Sequence, residues 1–352
     1  MKLFGTKETD THKIYYFCGI KFKFAQWHSI GSVTSDYVFL ERNLRENVKM
    51  RMNGWWDGYR KQCLNEYFRE EIYAWNIVKE KFNHFFLRNI NIPQVEFVLT
   101  TKCTLRCKNC SNFIPAIKDK YTMSLDEFKN NVDALAKGSN EIQTALLLGG
   151  EPLLNKDLPA MVSYIAQNRK FKTIYIVTNA TLDFSEELLS AIKEYKDKVR
   201  VYISNYSINK ELENRLKTKH IVEVLDQNGI GHYTFDDLKW HEMSPCKKLN
   251  MPYENVVQRF VTCQAKCVQI YNKHMHICPI STFCEIKKWF DFDENGQEYV
   301  FLDSKLSAKT LKKNFIKFYK RDYFQACDWC PKTTYREITP AEQLKEEEAY
   351  NG

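Results

Sequence analysis

Three cysteines, Cys103, Cys107 and Cys110, stand within one short stretch as C-x3-C-x2-C. Thiolates are soft ligands, and three on one loop can wrap three irons of a cubane cluster as iron replaces the thiol protons. The fourth iron then stays open to an exchangeable small molecule. A tetrahedral zinc site completed by a distant Cys or His is the competing reading of the triplet alone. Downstream, Gly149-Gly150-Glu151-Pro152 supplies two residues that admit close backbone approach and a carboxylate able to accept hydrogen bonds from an ammonium group.

Twelve cysteines in 352 residues are more than a core requires. The start, MKLFGTKETDTHKIYY, has no apolar stretch of a secretory signal, so metal coordination is expected before disulfides. Seven cysteines fall late in the chain: Cys246, Cys263, Cys267, Cys278, Cys284 and the close pair Cys327-Asp-Trp-Cys330. Cys18 and Cys63 read as core or partly buried thiols.

These residues need elements to hold them. Residues 14–24, IYYFCGIKFKF, alternate as a strand or hairpin, and residues 55–90 carry mostly helical spacing, so residues 1–90 read as a small, mainly helical unit. From residue 91 the pattern alternates. A strand at 95–101 leads into the first cysteine loop, and Ser124 caps a helix from Leu125 with Glu127 placed for a reciprocal contact. Strands at 144–148, 173–178, 199–204 and 221–225 follow, with helices around 157–169 and 185–195. Such alternation predicts an α/β fold with a parallel layer or partial barrel, its chemistry gathered at the C-terminal strand ends. Beyond Cys246 a hairpin joins 268–271 to 274–277, a helix covers 307–320, and the final KEEEAYNG reads as a polar terminus without a folding role.

The C-x3-C-x2-C loop followed by GGEP resembles the radical S-adenosylmethionine (SAM) superfamily. The resemblance implies a partial (β/α)6 barrel over residues 91–240. It also implies a [4Fe-4S] cluster on Cys103, Cys107 and Cys110, with SAM chelated at the open iron and cleaved to a 5'-deoxyadenosyl radical. Gly149, Gly150, Glu151 and Pro152 would hold the methionyl amino group, with Asn179, Ser204 and Asn205 as further SAM contacts. Asn109 stands where the family usually places an aromatic residue near the adenine. Cys267, Cys278, Cys327 and Cys330 resemble the ligands of a Twitch domain, which implies an auxiliary [4Fe-4S] cluster over residues 241–335; Cys263 is an alternative ligand to Cys267. Residues 336–352 are left as a polar tail.

Together these features predict a radical SAM oxidoreductase or epimerase that takes a hydrogen atom from a sugar-like or aminocyclitol substrate, fed by a reductant such as flavodoxin or ferredoxin. A peptide cross-linking enzyme and a nonenzymatic iron–sulfur or RNA-binding scaffold are the alternatives. His232, Tyr233 and His241 lie where a proton acceptor would enter, although surface or structural roles suit them better. The formal charge of +8 is spread along the chain and selects no nucleic acid. No apolar run resembles a membrane span, and the cytoplasm is the expected location.

Replacing Cys103, Cys107 and Cys110 together by Ala is expected to remove the SAM-binding cluster and spare iron held by the late cysteines. Mössbauer spectra of the anaerobically reconstituted variant check this; retention of both iron signals would reject the assignment.

Overall fold

The short apolar runs of residues 91–301 build one sheet, and their register shows why it is stable. The computed structural model describes residues 4–8, 12–17, 20–25 and 90–345, except 237–239, 244–245, 264–266, 292–297, 320, 322 and 332–335. Four strands, β4 (Asn91–Thr100), β5 (Glu141–Gly149), β6 (Phe171–Thr178) and β7 (Val199–Ser204), lie parallel in chain order. Strand β8 (His232–Phe235) extends them on one side; on the other, β10 (Val268–Tyr271) pairs parallel with β4. The hairpin from β10 to β11 (His274–His276), and then β12 (Tyr299–Phe301), continue the same sheet antiparallel to eight strands.

One row of paired residues crosses it: Val300, Met275, Ile270, Phe97, Leu147, Ile176 and Val201, all buried. This face packs under α1 (Leu125–Gly138), α2 (Leu158–Gln167), α3 (Glu186–Glu194), α4 (Thr218–Gln227) and α7 (Ala308–Tyr319). The adjacent row points the other way, because strand side chains alternate. It reads Tyr299, His276, Gln269, Glu96, Leu146, Tyr175 and Arg200. The inner face is thus markedly more polar than the helix-covered one.

The helices start where the sequence predicts. Ser124 Oγ accepts from Glu127 N at 3.2 Å, and Ser185 Oγ from Leu188 N at 3.2 Å. The reciprocal contact expected of Glu127 is replaced: its carboxylate accepts from Tyr121 Oη at 2.5 Å. The strand expected at 221–225 is the helix α4. Its β-branched residues favour a strand locally, but Ile221 and Leu225 are the buried pair and lie one helical turn apart. The crossover between parallel strands needs that helix, and the strand is delayed to His232.

The hairpin expected at 14–24 belongs to a three-stranded antiparallel sheet, β1 (Phe4–Glu8), β2 (His12–Phe17) and β3 (Ile20–Ala25). The helical reading of 55–90, with Cys18 and Cys63, lies outside the described residues.

Two glycines fix how the strand ends meet. A Cβ on Gly149, whose φ is 149°, would stand 2.2 Å from Thr100 O, and one on Gly150 would stand 2.1 Å from Lys102 O. In their place, Gly150 N donates to Thr100 O at 2.7 Å and Glu151 N to Lys102 O at 2.8 Å. Gly150→Ala is expected to lower stability by about 1–3 kcal/mol through this strain, seen as a lower urea midpoint; an unchanged midpoint would contradict the close approach.

Candidate active site with two cysteine groups

The first cysteine loop leaves the C-terminal end of β4, the middle of the sheet, where strand-end loops converge in parallel α/β folds. Phe113 anchors its far side. Its φ of 54° is rare for a bulky residue, and its buried ring stacks on Phe283 at 4.4 Å. Each sulfur meets donors from a different part of the chain. Cys103 Sγ accepts from Leu105 N at 3.4 Å and Asn179 Nδ2 at 3.6 Å. Backbone groups at Ile114, Asn112 and Phe113 hydrogen-bond to Cys110, and Gln343 Nε2 reaches Cys107 Sγ at 3.4 Å.

Burial dominates the thiols. It pushes Cys103 up to about 11 and raises Cys107 and Cys110, with neighbouring cysteines adding to the effect on Cys103 and Cys107. Three thiols in such surroundings become thiolates when a metal displaces their protons. The donors aimed at the sulfurs suit that state, so the residues fit a [4Fe-4S] cluster.

Glu151 is fully buried, and its carboxylate accepts from Thr178 Oγ1 at 2.9 Å, Asn179 N at 2.9 Å and Leu153 N at 3.2 Å. It ties the end of β5 to the end of β6. Asn179 then carries the link onward, with Nδ2 donating to Thr104 Oγ1 at 3.1 Å and Oδ1 accepting from Thr181 N at 3.0 Å.

A cavity of about 390 Å³ opens beside this framework. Cys103, Cys107, Cys110, Gly149, Gly150, Asn179 and Ser204 line it, joined by Cys263, Cys267, Cys278, Cys327 and Cys330. Both cysteine groups therefore face one space. Glu151, Pro152 and Asn205 lie outside its lining. Asn205 closes a turn, accepting from Ser207 N at 3.1 Å and donating to Asp236 at 2.6 Å.

The second group is assembled by several elements. Helix α5 (Tyr253–Thr262) ends at Cys263, and α6 (Pro279–Lys287) begins after Cys278. The register Gln269 opposite His276, continued outward, sets Cys267 opposite Cys278 at the open end of the hairpin. A short 3-10 turn (Gln325–Trp329) carries Cys327, with Cys330 following; buried Glu298 holds it by accepting from Gln325 N at 3.1 Å and Arg321 Nη2 at 2.9 Å. Burial pushes Cys327 up to about 12, and the fields of Cys263 and Cys330 act in the same direction. Cys263 thus joins the four cysteines expected here. Cys246 and Cys284 are buried outside the cavity lining, and Cys246 Sγ donates to Trp329 O at 3.1 Å.

Sequence reasoning missed Glu96, which sits in the apolar run of β4 yet points inward and lines the cavity with Asn112. Gln269 Nε2 joins the two, 3.2 Å from Glu96 Oε2 and 2.8 Å from Asn112 Oδ1. The available signal was a carboxylate at alternating parity in a buried strand. Tyr206 and Trp240 also line the cavity, their rings edge to face at 5.7 Å. Asn109 ties its loop to a distant segment, Oδ1 accepting from Met243 N at 2.9 Å. His232, Tyr233 and His241 are not in the lining. His232 pairs with Asp226 at 3.0 Å, Tyr233 is exposed, and His241, in the short strand β9 (Trp240–His241), pairs in register with Glu337.

Residues 97–234 match the sequence profile of the Radical SAM superfamily. This chain carries a radical SAM domain. The domain contains the cysteine loop, GGEP and the strand-end residues Asn179 and Ser204. Among curated proteins, the chain is 29% identical over 143 residues to the antilisterial bacteriocin subtilosin biosynthesis protein AlbA of Bacillus subtilis, covering 38% of this chain and 30% of AlbA. It is 32% identical over 129 residues to GTP 3',8-cyclase of Aquifex aeolicus, covering 35% of this chain and 38% of the cyclase. The matches span about a third of these relatives' lengths. Among solved structures, BtrN in complex with AdoMet and 2-DOIA aligns with a TM-score of 0.41 at 15% identity, covering 72% of this chain and 98% of that one.

Near the cavity, Glu285 of α6 binds two histidines of β11, His274 Nδ1 at 2.6 Å and His276 Nε2 at 2.5 Å. Burial raises the Glu285 pKa, but the two histidines outweigh it and hold the carboxyl at about 2. Its stabilisation is therefore complete above the ordinary carboxylate pKa of 4.5 and lost as pH falls towards 2. Burial lowers the His276 pKa, so the unfolded chain takes up that proton first and acid again favours unfolding. Glu285→Gln is expected to cost about 1–3 kcal/mol near neutral pH by weakening hydrogen bonds to an ionised carboxylate, with the difference from the native protein shrinking in acid. Urea midpoints across pH check this; a pH-independent difference would exclude the ionised carboxylate.

Proposed function

We propose that this protein is a radical SAM enzyme that oxidises a small polyhydroxylated substrate held between two iron–sulfur clusters. The shared cavity carries the reading, because both cysteine groups and the Glu96 carboxylate face it. The parallel pairing of Val268 with Val95, continued by one residue, sets Cys267 level with Gln94, while Cys103 follows the other end of β4. Glu96 thus lies between the two groups along the strand.

Cys103, Cys107 and Cys110 would hold one [4Fe-4S] cluster; Cys278, Cys327 and Cys330, with Cys263 or Cys267, would hold the other. When bound, the first would supply the electron that splits SAM to methionine and a 5'-deoxyadenosyl radical, and the second would accept the electron released on substrate oxidation. An external reductant restores the first electron. Asn179 and Ser204, at the ends of β6 and β7, line the cavity and would contact SAM. Glu151 acts through Asn179, whose backbone it holds.

Oxidising an alcohol to a carbonyl removes one hydrogen atom, one proton and one electron. The hydrogen atom would leave in 5'-deoxyadenosine. Glu96 takes the hydroxyl proton, and Asn112 orients the same hydroxyl group.

Reconstituted protein is expected to release 5'-deoxyadenosine from SAM under reduction. Sugars and aminocyclitols deuterated at candidate carbons, screened beside cysteine-containing peptides, should pass deuterium to 5'-deoxyadenosine and lose two hydrogens. Glu96→Gln should retain SAM cleavage and lose at least about 100-fold in carbonyl formation. Deuterium transfer from peptides alone would replace the substrate class, and a loaded cluster without SAM cleavage would defeat the proposal.

A further inference from the structure

The C-terminal segment folds back onto the first cysteine loop. Leu344 N donates to Arg106 O at 2.8 Å and Lys108 N to Glu342 O at 2.8 Å, so the two segments pair antiparallel around Cys107 and Gln343. Ala341, fully buried with a φ of 53°, packs against Leu105, Cys107 and Leu212, and Asn209 Nδ2 donates to its carbonyl at 3.0 Å. Further up, Ile338 pairs with Trp240, a wall of the cavity. This tail is part of the site.

Gln343 uses both ends of its amide there. Oε1 accepts from Arg106 N at 2.8 Å, which sets the plane of the group and turns Nε2 towards Cys107 Sγ at 3.4 Å. Ala341 O also accepts from Nε2, at 2.6 Å, and steadies it.

We propose that Gln343 is a positioning residue that raises the reduction potential of the cluster held by the first cysteine loop. The inference rests on the reading of Cys103, Cys107 and Cys110 as its ligands. Reduction adds negative charge to the cluster and its sulfurs, and an N–H aimed at a ligand sulfur stabilises that charge. A donor brought from the opposite end of the chain also makes cluster reduction depend on the docked tail.

The test is an EPR-monitored redox titration of reconstituted full-length protein, following the signal that SAM perturbs, with iron content measured in parallel. Gln343→Glu preserves size and the acceptor for Arg106 N but removes the donor; Gln343→Leu removes both. Both are expected to shift the potential to more negative values. Glu342→Gln, which breaks only the exposed 2.8 Å pair with Lys108, is expected to leave it unchanged. Native potentials in both Gln343 variants would overturn the proposal. Iron loss from both with circular dichroism unchanged would do so as well, by assigning Gln343 to holding the cluster. A native protein whose EPR signal ignores SAM would instead defeat the functional reading.

Discussion

The site depends on how closely the backbone of β5 can approach the backbone leaving β4. Side chains at positions 149 and 150 would collide with carbonyl oxygens of Thr100 and Lys102, so only glycine lets the hydrogen bonds at 2.7 and 2.8 Å form. That contact sets where the cysteine loop begins. It also aims Glu151 at β6, and Glu151 in turn holds Asn179 beside Cys103. GGEP is thus a structural joint before it is a ligand contact, which explains why Glu151 and Pro152 lie behind the cavity wall while both glycines are in it.

A second constraint is electrostatic. Eight cysteines line one cavity, and burial raises most of their pKa values. Burial favours the neutral thiols, and metal coordination is the chemistry that would convert them to thiolates there. Aromatic packing joins the supports of the two groups. Phe113 of the first loop stacks on Phe283 of α6, and Trp289, which follows that helix, stacks on Trp329 beside Cys330 at 4.4 Å. Displacement of one support is therefore felt by the other through close-packed rings.

Much of this was legible in the sequence because it is local. C-x3-C-x2-C and GGEP are contiguous, Ser124 and Ser185 cap the helices that follow them, and the apolar runs of β4 to β7 announce a parallel layer. Local preference misled at 221–225, where β-branched residues look like a strand. Spacing favours the helix there, and the need to cross back over the sheet makes it the outcome.

What the sequence by itself determined is the chemistry: ligand types, their spacing, and the glycines that let two strands end together. The tertiary structure decided which distant residues share the site. Register turns Glu96 inward beside Gln269, convergence of α5, α6 and a late 3-10 turn brings Cys263 and Cys327 to one cavity, and an antiparallel contact sets Gln343 on Cys107. The parity of Glu96 and the close pair Cys327-Asp-Trp-Cys330 are visible locally, but none of these juxtapositions is. Each follows from packing between segments far apart in the chain, where the partner, and not the residue's own neighbours, determines the role.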